Sequence, residues 1–250
     1  MTTTTLYVNG TPLTELIVPE NITKINEFAF YRYSPLTSIS LHSGVNEIGA
    51  RALSFTPGLA LITIPEESEY FTLIDGLLYS KNLTQLVCAS KGLISEIVIP
   101  ETVTTIPSGT FYSKTGLIEI TLPNTLTTIN YYAFGNCTGL KKCNLPKSLT
   151  TLGTYAFYNC TNLEELNYNA ENLPSLGQDN WIFYKCGANK GMKVNFGKDV
   201  QSIPAYLFYV YNTTSNNYRP AFSSVAFDSD SVCTSIGAYA FWRNPSLKSF

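Results

Sequence analysis

The chain has 250 residues, of which 44% are hydrophobic and 14% are charged, a balance that provides a sizeable core and excludes a disordered chain. The formal net charge is −2 and the basic residues are scattered, so no nucleic-acid-binding surface is predicted. No apolar run approaches the roughly 18 residues of a membrane span, and MTTTTLYVNG lacks the pattern of a secretory signal. The protein is therefore either intracellular or secreted by a signal outside this sequence.

The N-terminal segment predicts a hairpin that leads into a first strand. In LYVNGTPLTELIV, strand-like runs lie on both sides of Asn9-Gly10, and Asn-Gly is a strong signal for a tight hairpin turn. We expect residues 1–18 to form a capping hairpin and the first strand, because a stack of repeats needs a covered end.

A Leu-x-x-Leu-x-Leu pattern, in most copies followed by Pro, then recurs along the chain. Copies at intervals of 23 residues begin at Leu13, Leu36 and Leu59, and again at Ile94, Leu117, Leu140 and Leu163. Two less regular copies occupy 191–197 and 222–228. A second column lies 11 residues after the Pro position, with insertions before Phe183 and Phe241; it holds Phe30, Leu53, Phe111, Phe134, Phe157 and Phe208. About nine such units predict a repeat protein.

Two regions depart from this regularity. The third unit is extended by residues 66–92, in which Asp75-Gly76 separates two strand-like runs and predicts a β-hairpin with a type I′ turn. Residues 163–221 are stretched and degenerate, and the sequence ends at LKSF, the start of a further unit. We therefore expect a single repeat domain over 1–250 that is cut inside a repeat and continues beyond Phe250 in the natural protein.

The period of 23 lies within the range of about 20–29 residues that is typical of leucine-rich repeats. The first, fourth and sixth residues of each strand are expected to point inward, and the V-T-x-I and A-F segments supply the other inward residues. Because one coil cannot bury its apolar residues alone, neighbouring coils must stack. The prediction is a leucine-rich-repeat solenoid: a curved right-handed coil with short parallel β-strands on one face and loops or short helical turns on the other.

The unit LTTINYYAFGNCTGLKKCNLP, residues 126–146, resembles the repeat of the BspA-like leucine-rich-repeat proteins, of the leucine-rich repeat 5 type. The resemblance covers nearly the whole chain and is most specific over 94–163. The segment IDGLLYSKNLTQLVCAS, 74–90, is similar to a hairpin insertion of some members. This resemblance implies extracellular or cell-surface proteins of host-associated bacteria that act in adhesion and bind host proteins.

Cysteines recur in one column of the repeat, three residues after Phe134, Phe157 and Phe183. The column contains Cys137, Cys160 and Cys186, but also Tyr33, Thr56, Lys114, Tyr211 and Asn244, so it requires no shared chemistry. Buried free thiols are favoured, because stacked residues about 4.8 Å apart do not suit the Cβ spacing of about 3.5–4.5 Å in a disulfide. A disulfide, or a metal or redox role, stays open as the alternative, although no close Cys or His pair suggests zinc.

Catalytic motifs are missing from the sequence. His42 is the sole histidine, and neither G-x-G-x-x-G nor G-x-S-x-G occurs. We therefore predict no catalytic, cofactor-binding or metal-binding residue, and no cofactor.

Two surfaces are candidates for binding a partner. Outward positions of the strand face form a mixed, lightly acidic column that contains Glu15, Glu96, Glu119, Lys142, Glu165 and Lys193. Beside the Phe column, Tyr132 and Tyr155 belong to aromatic columns that could anchor a partner. The alternative interpretations are a merely solvated sheet and tyrosines that only stack between coils.

The sequence therefore favours a non-enzymatic binding module, exposed or secreted, that mediates adhesion or recognition of host proteins or glycans. We expect a monomer that binds a protein or glycan ligand and has no transmembrane segment. The alternative function is a structural spacer or display scaffold within a longer cell-surface protein.

Overall fold

The computed structural model describes residues 7–8, 10–90, 95–210, 219–244 and 247, and strands are numbered in chain order. At the N-terminus, β1 (Tyr7–Val8) and β2 (Thr11–Pro12) pair antiparallel, with Val8 opposite Thr11. The predicted turn residue Asn9 lies outside the described residues. The hairpin forms a sheet of its own, separate from the first coil's strand, so its function as a cap stays a prediction.

The predicted repeat strands form one column of parallel strands, interrupted once. The first sheet contains β3 (Glu15–Ile17), β5 (Ser38–Ser40) and β7 (Leu61–Thr63). The second contains β11 (Glu96–Val98), β13 (Glu119–Thr121), β15 (Lys142–Leu145), β17 (Glu165–Tyr168), β18 (Met192–Phe196) and β20 (Phe222–Phe227). The predicted parallel solenoid strands are confirmed.

Alternation along each strand decides which residues enter the core. In the coil of β13, Leu117, Ile120 and Leu122 are buried, whereas Glu119 is half-buried and Thr121 is exposed. These are the first, fourth and sixth residues of the repeat pattern, as predicted, because successive strand side chains point to opposite faces.

A second column of two-residue strands lies farther along the coils. The V-T-x-I pattern predicts inward side chains at these positions but no strand. It forms three separate parallel sheets: β4 (Lys24–Ile25) with β6 (Glu47–Ile48); β12 (Thr105–Ile106), β14 (Thr128–Ile129) and β16 (Thr151–Leu152); and β19 (Ser202–Ile203) with β21 (Ser235–Ile236). The second residue is buried and the first is not in five of these seven strands, and each of the five contributes one core side chain.

The third side of the coil consists of turns, so of the two predicted options the loops are observed, and the described residues contain no helix. Residues with φ between 46° and 64° recur four positions apart, as in Tyr132 with Asn136 and Tyr155 with Asn159. This left-handed backbone turns N–H groups toward the next coil: Phe134 N donates to Ala156 O at 2.8 Å. The turns therefore add a third row of hydrogen bonds between coils.

The extension of the third unit is a three-stranded antiparallel sheet. It contains β8 (Phe71–Ile74), β9 (Leu77–Ser80) and β10 (Leu86–Ala89), with β9 in the centre. Asp75 and Gly76 join β8 to β9 with φ of 51° and 79°, the two positive values that a type I′ turn requires. The third strand, β10, was not predicted.

This sheet lies between two hydrophobic cores, and its central strand contributes to both. Leu78 packs with the core of the first coils, whereas Leu77 and Tyr79 pack with the larger core that follows. Because alternate residues of β9 face opposite sides, one strand can join the two stacks.

Lys114 bridges the same junction from the turn side. It takes the place of a cysteine in its column and is 2% exposed. Its Nζ donates to Thr56 O at 3.1 Å and to Leu59 O at 3.4 Å. The long side chain thus reaches carbonyls of the coil before the insertion. Tyr211, in the same column, and most of the final LKSF lie outside the described residues.

Candidate binding surfaces

The strand face brings five of the six predicted charged residues into one row. In the second parallel sheet, Glu96 pairs in register with Glu119, Glu119 with Lys142, Lys142 with Glu165, and Glu165 with Lys193. Lys142 Nζ lies 3.9 Å from Glu119 Oε1 and 4.0 Å from Glu165 Oε1. Glu15 belongs to the first sheet, where it pairs with Ser38, and does not join this row.

A ladder of asparagines runs beside the charged row. Asn167 Nδ2 donates to Asn144 Oδ1 at 2.6 Å, and Asn195 Nδ2 donates to Asn167 Oδ1 at 2.7 Å. Asn167 also donates to Glu165 Oε1 at 2.8 Å, which ties the amide ladder to the charged row. The three ladder asparagines line a shallow cleft of about 450 Å³ that extends to Asp228. Together these residues present a fixed pattern of amides and charges.

The two predicted tyrosines lie on the turns, away from the strand face. Tyr132 and Tyr155 stack with ring centroids 4.6 Å apart and an interplanar angle of 21°. They belong to a continuous aromatic strip, formed by the ring contacts of Tyr31, Phe55, Tyr112, Tyr132, Tyr155, Tyr158, Trp181 and Tyr184. Stacking between coils is therefore observed, and the half-buried rings still present edges to solvent.

The aromatic strip includes a concave region of about 340 Å³. Its lining residues are Arg32, Ser34, Phe55, Pro57, Tyr112, Tyr131 and Tyr132. Two glycines make room for the rings, because a Cβ at Gly109 would lie 2.5 Å from the Phe55 ring and one at Gly135 would lie 2.5 Å from the Tyr132 ring. Arg32 lies over both Tyr31 and Phe55, 5.3 Å from each centroid.

Burial raises the pKa of Tyr132 well above its usual value, and neighbouring phenols add to the effect. The pKa of Tyr155 is raised by the same causes. Both phenols therefore stay protonated at neutral pH and keep an O–H group that can donate a hydrogen bond.

The cysteine column is structural, as predicted, and all six cysteines are free thiols. Cys137 Sγ donates to Phe111 O at 2.9 Å, and Cys160 Sγ donates to Phe134 O at 3.2 Å. Burial raises the pKa of Cys137 and Cys160 well above the usual value, and the thiol of the next coil, Cys160 for Cys137 and Cys186 for Cys160, raises it further. These thiols are held in their neutral, unreactive form.

Within the part of the chain that the structure describes, no group of three or more His, Cys, Asp or Glu side chains is arranged to hold a metal ion. The described residues also include no helix with the length and apolarity needed to cross a bilayer.

Residues 4–92 and 81–215 match the BspA type leucine-rich repeat region, in six copies. The chain belongs to this family. No curated protein is significantly similar to this BspA-type chain.

Two solved structures of bacterial proteins resemble it in fold. A leucine-rich repeat protein from Eubacterium ventriosum is 22% identical over 94% of this chain and 59% of that protein, with a TM-score of 0.70. The pneumococcal vaccine antigen PcpA is 19% identical over 94% of this chain and 69% of that protein, with a TM-score of 0.52. The chain thus spans less than two thirds of the first protein. At such identities the likeness shows the fold alone, and the family makes this BspA-type chain a protein-interaction or repeat module.

Proposed function

We propose that the protein is a monomeric, non-enzymatic recognition module, exposed at the cell surface or secreted, that binds a host protein or glycan through its strand face. One observation carries this proposal: the six-stranded sheet holds Glu96, Glu119, Lys142, Glu165 and Lys193 in register, beside the asparagine ladder. The family, whose members include surface proteins by the resemblance described above, supports the location.

The physical basis is preorganisation. Neighbouring strands are about 4.8 Å apart, so a ligand with an extended, regular arrangement of polar groups can match several coils at once. The weak contacts of Lys142 leave its charge available, because half-exposed ion pairs near 4 Å contribute little. Amides that already donate to one another lose little entropy when a ligand binds.

The test is a binding screen of the purified chain against immobilised extracellular-matrix proteins, serum proteins and glycans at physiological salt. The double variant Glu96→Lys/Glu119→Lys should lose saturable binding at least about tenfold, because it reverses two of the three carboxylates of the row and leaves three consecutive lysines. Glu66→Lys/Glu67→Lys is the matched control, since both residues lie on an exposed loop outside the sheet. Equal loss in both variants would reduce the effect to net charge and contradict the proposal.

The aromatic strip is a second candidate surface, favoured by its concave region and by Arg32 over two rings. Tyr131 is the ring to change, because it is 36% exposed and lines this concavity. If Tyr131→Ser lowers binding while the charge variant retains it, the aromatic strip is the binding surface. If no ligand binds, the spacer function is favoured.

A further inference from the structure

The second column of strands is interrupted at the third unit, where the insertion replaces the usual two-residue strand. A cleft of about 570 Å³ opens there, a size within the range of ligand sites. It lies between the end of β6 with the residues that follow it and β12 with the residues on both sides of it, and the start of β10 lines it as well. Each of these three strands is at the edge of its sheet. We call this cleft the ladder gap.

A main-chain donor of β12 is directed at the ladder gap. In the following coils, Thr128 N donates to Thr104 O at 3.1 Å and Thr151 N donates to Thr127 O at 3.0 Å. Thr105 N holds the equivalent position in its own coil, but the described residues of the preceding unit form no second-column strand that could accept its hydrogen bond. Its N–H therefore faces the cleft.

A main-chain acceptor faces the ladder gap from the other side. Ile25 O accepts from Gly49 N at 2.8 Å, and Ile106 O accepts from Asn130 N at 3.0 Å. Ile48 O is the equivalent carbonyl of β6, and the unit after it provides no second strand. The edge of β12 thus offers the Thr105 N–H and the edge of β6 offers the Ile48 carbonyl, and a single parallel strand between them could pair with both.

The side chains around the ladder gap define the chemistry of a ligand. Ile48, Leu86, Val87 and Pro107 supply apolar surface, and hydroxyls and amides supply most of the remainder. Arg51 is the single charged side chain among the described lining residues. It follows the C-terminal end of β6, so a strand parallel to β6 would bring its own C-terminal end to the side of Arg51. The Arg51 guanidinium lies over the exposed Phe28 ring, 5.8 Å from its centroid, and would have to turn from that ring toward a carboxylate.

We propose that the ladder gap binds an extended peptide segment of a partner protein, which adds as a parallel β-strand between β6 and β12. The segment carries β-branched or small residues, one apolar side chain toward Leu86 and Val87, and an acidic residue or carboxylate at its C-terminal end beside Arg51. Addition of a strand to an exposed sheet edge is an established mode of peptide recognition. Natural proteins usually cover or blunt such edges, and here three edges converge on one cleft. This site is separate from the strand face and from the aromatic strip.

The probe is a fluorescein-labelled peptide that copies residues 124–130, NTLTTIN, with Asp in the last place. This segment forms a second-column strand in the chain itself, so it has the geometry of the missing one. Binding is measured by fluorescence anisotropy, and amide hydrogen exchange locates it. We expect saturable binding and slower exchange of the Thr105 amide, while a scrambled peptide does not bind.

Thr105→Pro is the deciding variant, because it removes the N–H of β12 that faces the cleft. Proline is tolerated at the first residue of an edge strand. The hydrogen bonds that Thr104 O and Ile106 O accept from the next coil are kept. We expect affinity to fall about tenfold, or about 1.4 kcal/mol. Thr105→Val, which keeps the N–H and the side-chain shape, is the matched control and should bind normally.

Two further measurements keep the test decisive if Thr105→Pro fails to fold. A peptide N-methylated at alternate amides should lose binding to the unchanged protein. Arg51→Glu should weaken binding of the peptide that ends in Asp. Arg32→Glu, the matched charge control outside the cleft, should not. Binding that survives N-methylation, or no binding at about 1 mM peptide, would overturn the proposal. Dimerisation that Thr105→Pro abolishes would also overturn it, because a second copy would then occupy the cleft. None of these results depends on the strand-face ligand.

Discussion

The fully buried Phe column shows how a single residue type connects neighbouring coils. Phe134 stacks on Phe111 with centroids 5.1 Å apart and on Phe157 at 5.0 Å, with interplanar angles of 6° and 13°. Each ring therefore buries both faces against equivalent rings, in the offset-stacked manner that aromatic pairs favour. Loss of one ring removes contacts in three coils.

Phe134→Ala should lower the free energy of unfolding by about 3–5 kcal/mol, because it leaves a ring-sized cavity between two rings that the backbone holds in place. Urea denaturation monitored by circular dichroism measures the change. Phe28→Ala is the control: this ring is 45% exposed, and its loss should cost less than about 1 kcal/mol. Equal losses in the two variants would show that the column does not carry the stack.

At the scale of elements, the repeat period predicted the first-column strands and their inward residues, since both follow from alternating apolar positions. The second column escaped prediction because a two-residue strand is too short to show a period. Strand β10 was missed for another reason: both of its faces are buried, so LVCA does not alternate between apolar and polar residues. The buried state of Lys114 was visible only in its column, where Cys137, Cys160 and Cys186 follow it.

The candidate site residues were predictable in part. Register between units follows from the constant 23-residue interval, which placed Glu96, Glu119 and Lys142 in one row. Separation of Glu15 from that row could not be predicted, because it depends on how the inserted sheet packs between the stacks. The left-handed backbone of Tyr132 could not be predicted either, since φ near +50° is uncommon for a residue with a Cβ.

The inserted sheet provides a matched pair of variants that test its connection to both cores. Leu78→Ala should increase amide hydrogen exchange in β3, β5 and β7, because Leu78 packs only with the first core. Leu77→Ala should instead increase exchange in β11 and β13, on the side of the larger core. Each change should cost about 2–5 kcal/mol of local stability. If both variants affected the same half, β9 would not face two cores.

At the scale of the whole molecule, many buried neutral acids give the fold a common response to alkaline pH. Burial raises the pKa of Cys88 to about 12, and it also raises those of Cys137, Cys143 and Cys160. The unfolded thiols ionise near about 8.5. Above that pH the unfolded chain releases protons that the folded chain retains, so the folded state loses stability as pH rises.

We therefore expect the free energy of unfolding to be insensitive to these thiols below about pH 8 and to fall steeply above about pH 9. Each buried thiol should contribute a slope of about 1.4 kcal/mol per pH unit. Urea denaturation at a series of pH values measures it. Cys88→Ala should make the alkaline slope shallower, whereas Cys233→Ala, at a half-buried site, serves as the control. Stability that stays constant to pH 10 would contradict the prediction.

Hydrogen bonds between coils, described above as three rows, also determine how the protein would respond to tension. A pull between the two ends of the stack acts along these bonds, so they open one after another instead of shearing together. Coils would then detach singly from an end, each releasing 23 residues, or about 80 Å of chain. A molecule of this kind lengthens in small steps under load and keeps the rest of its surface folded.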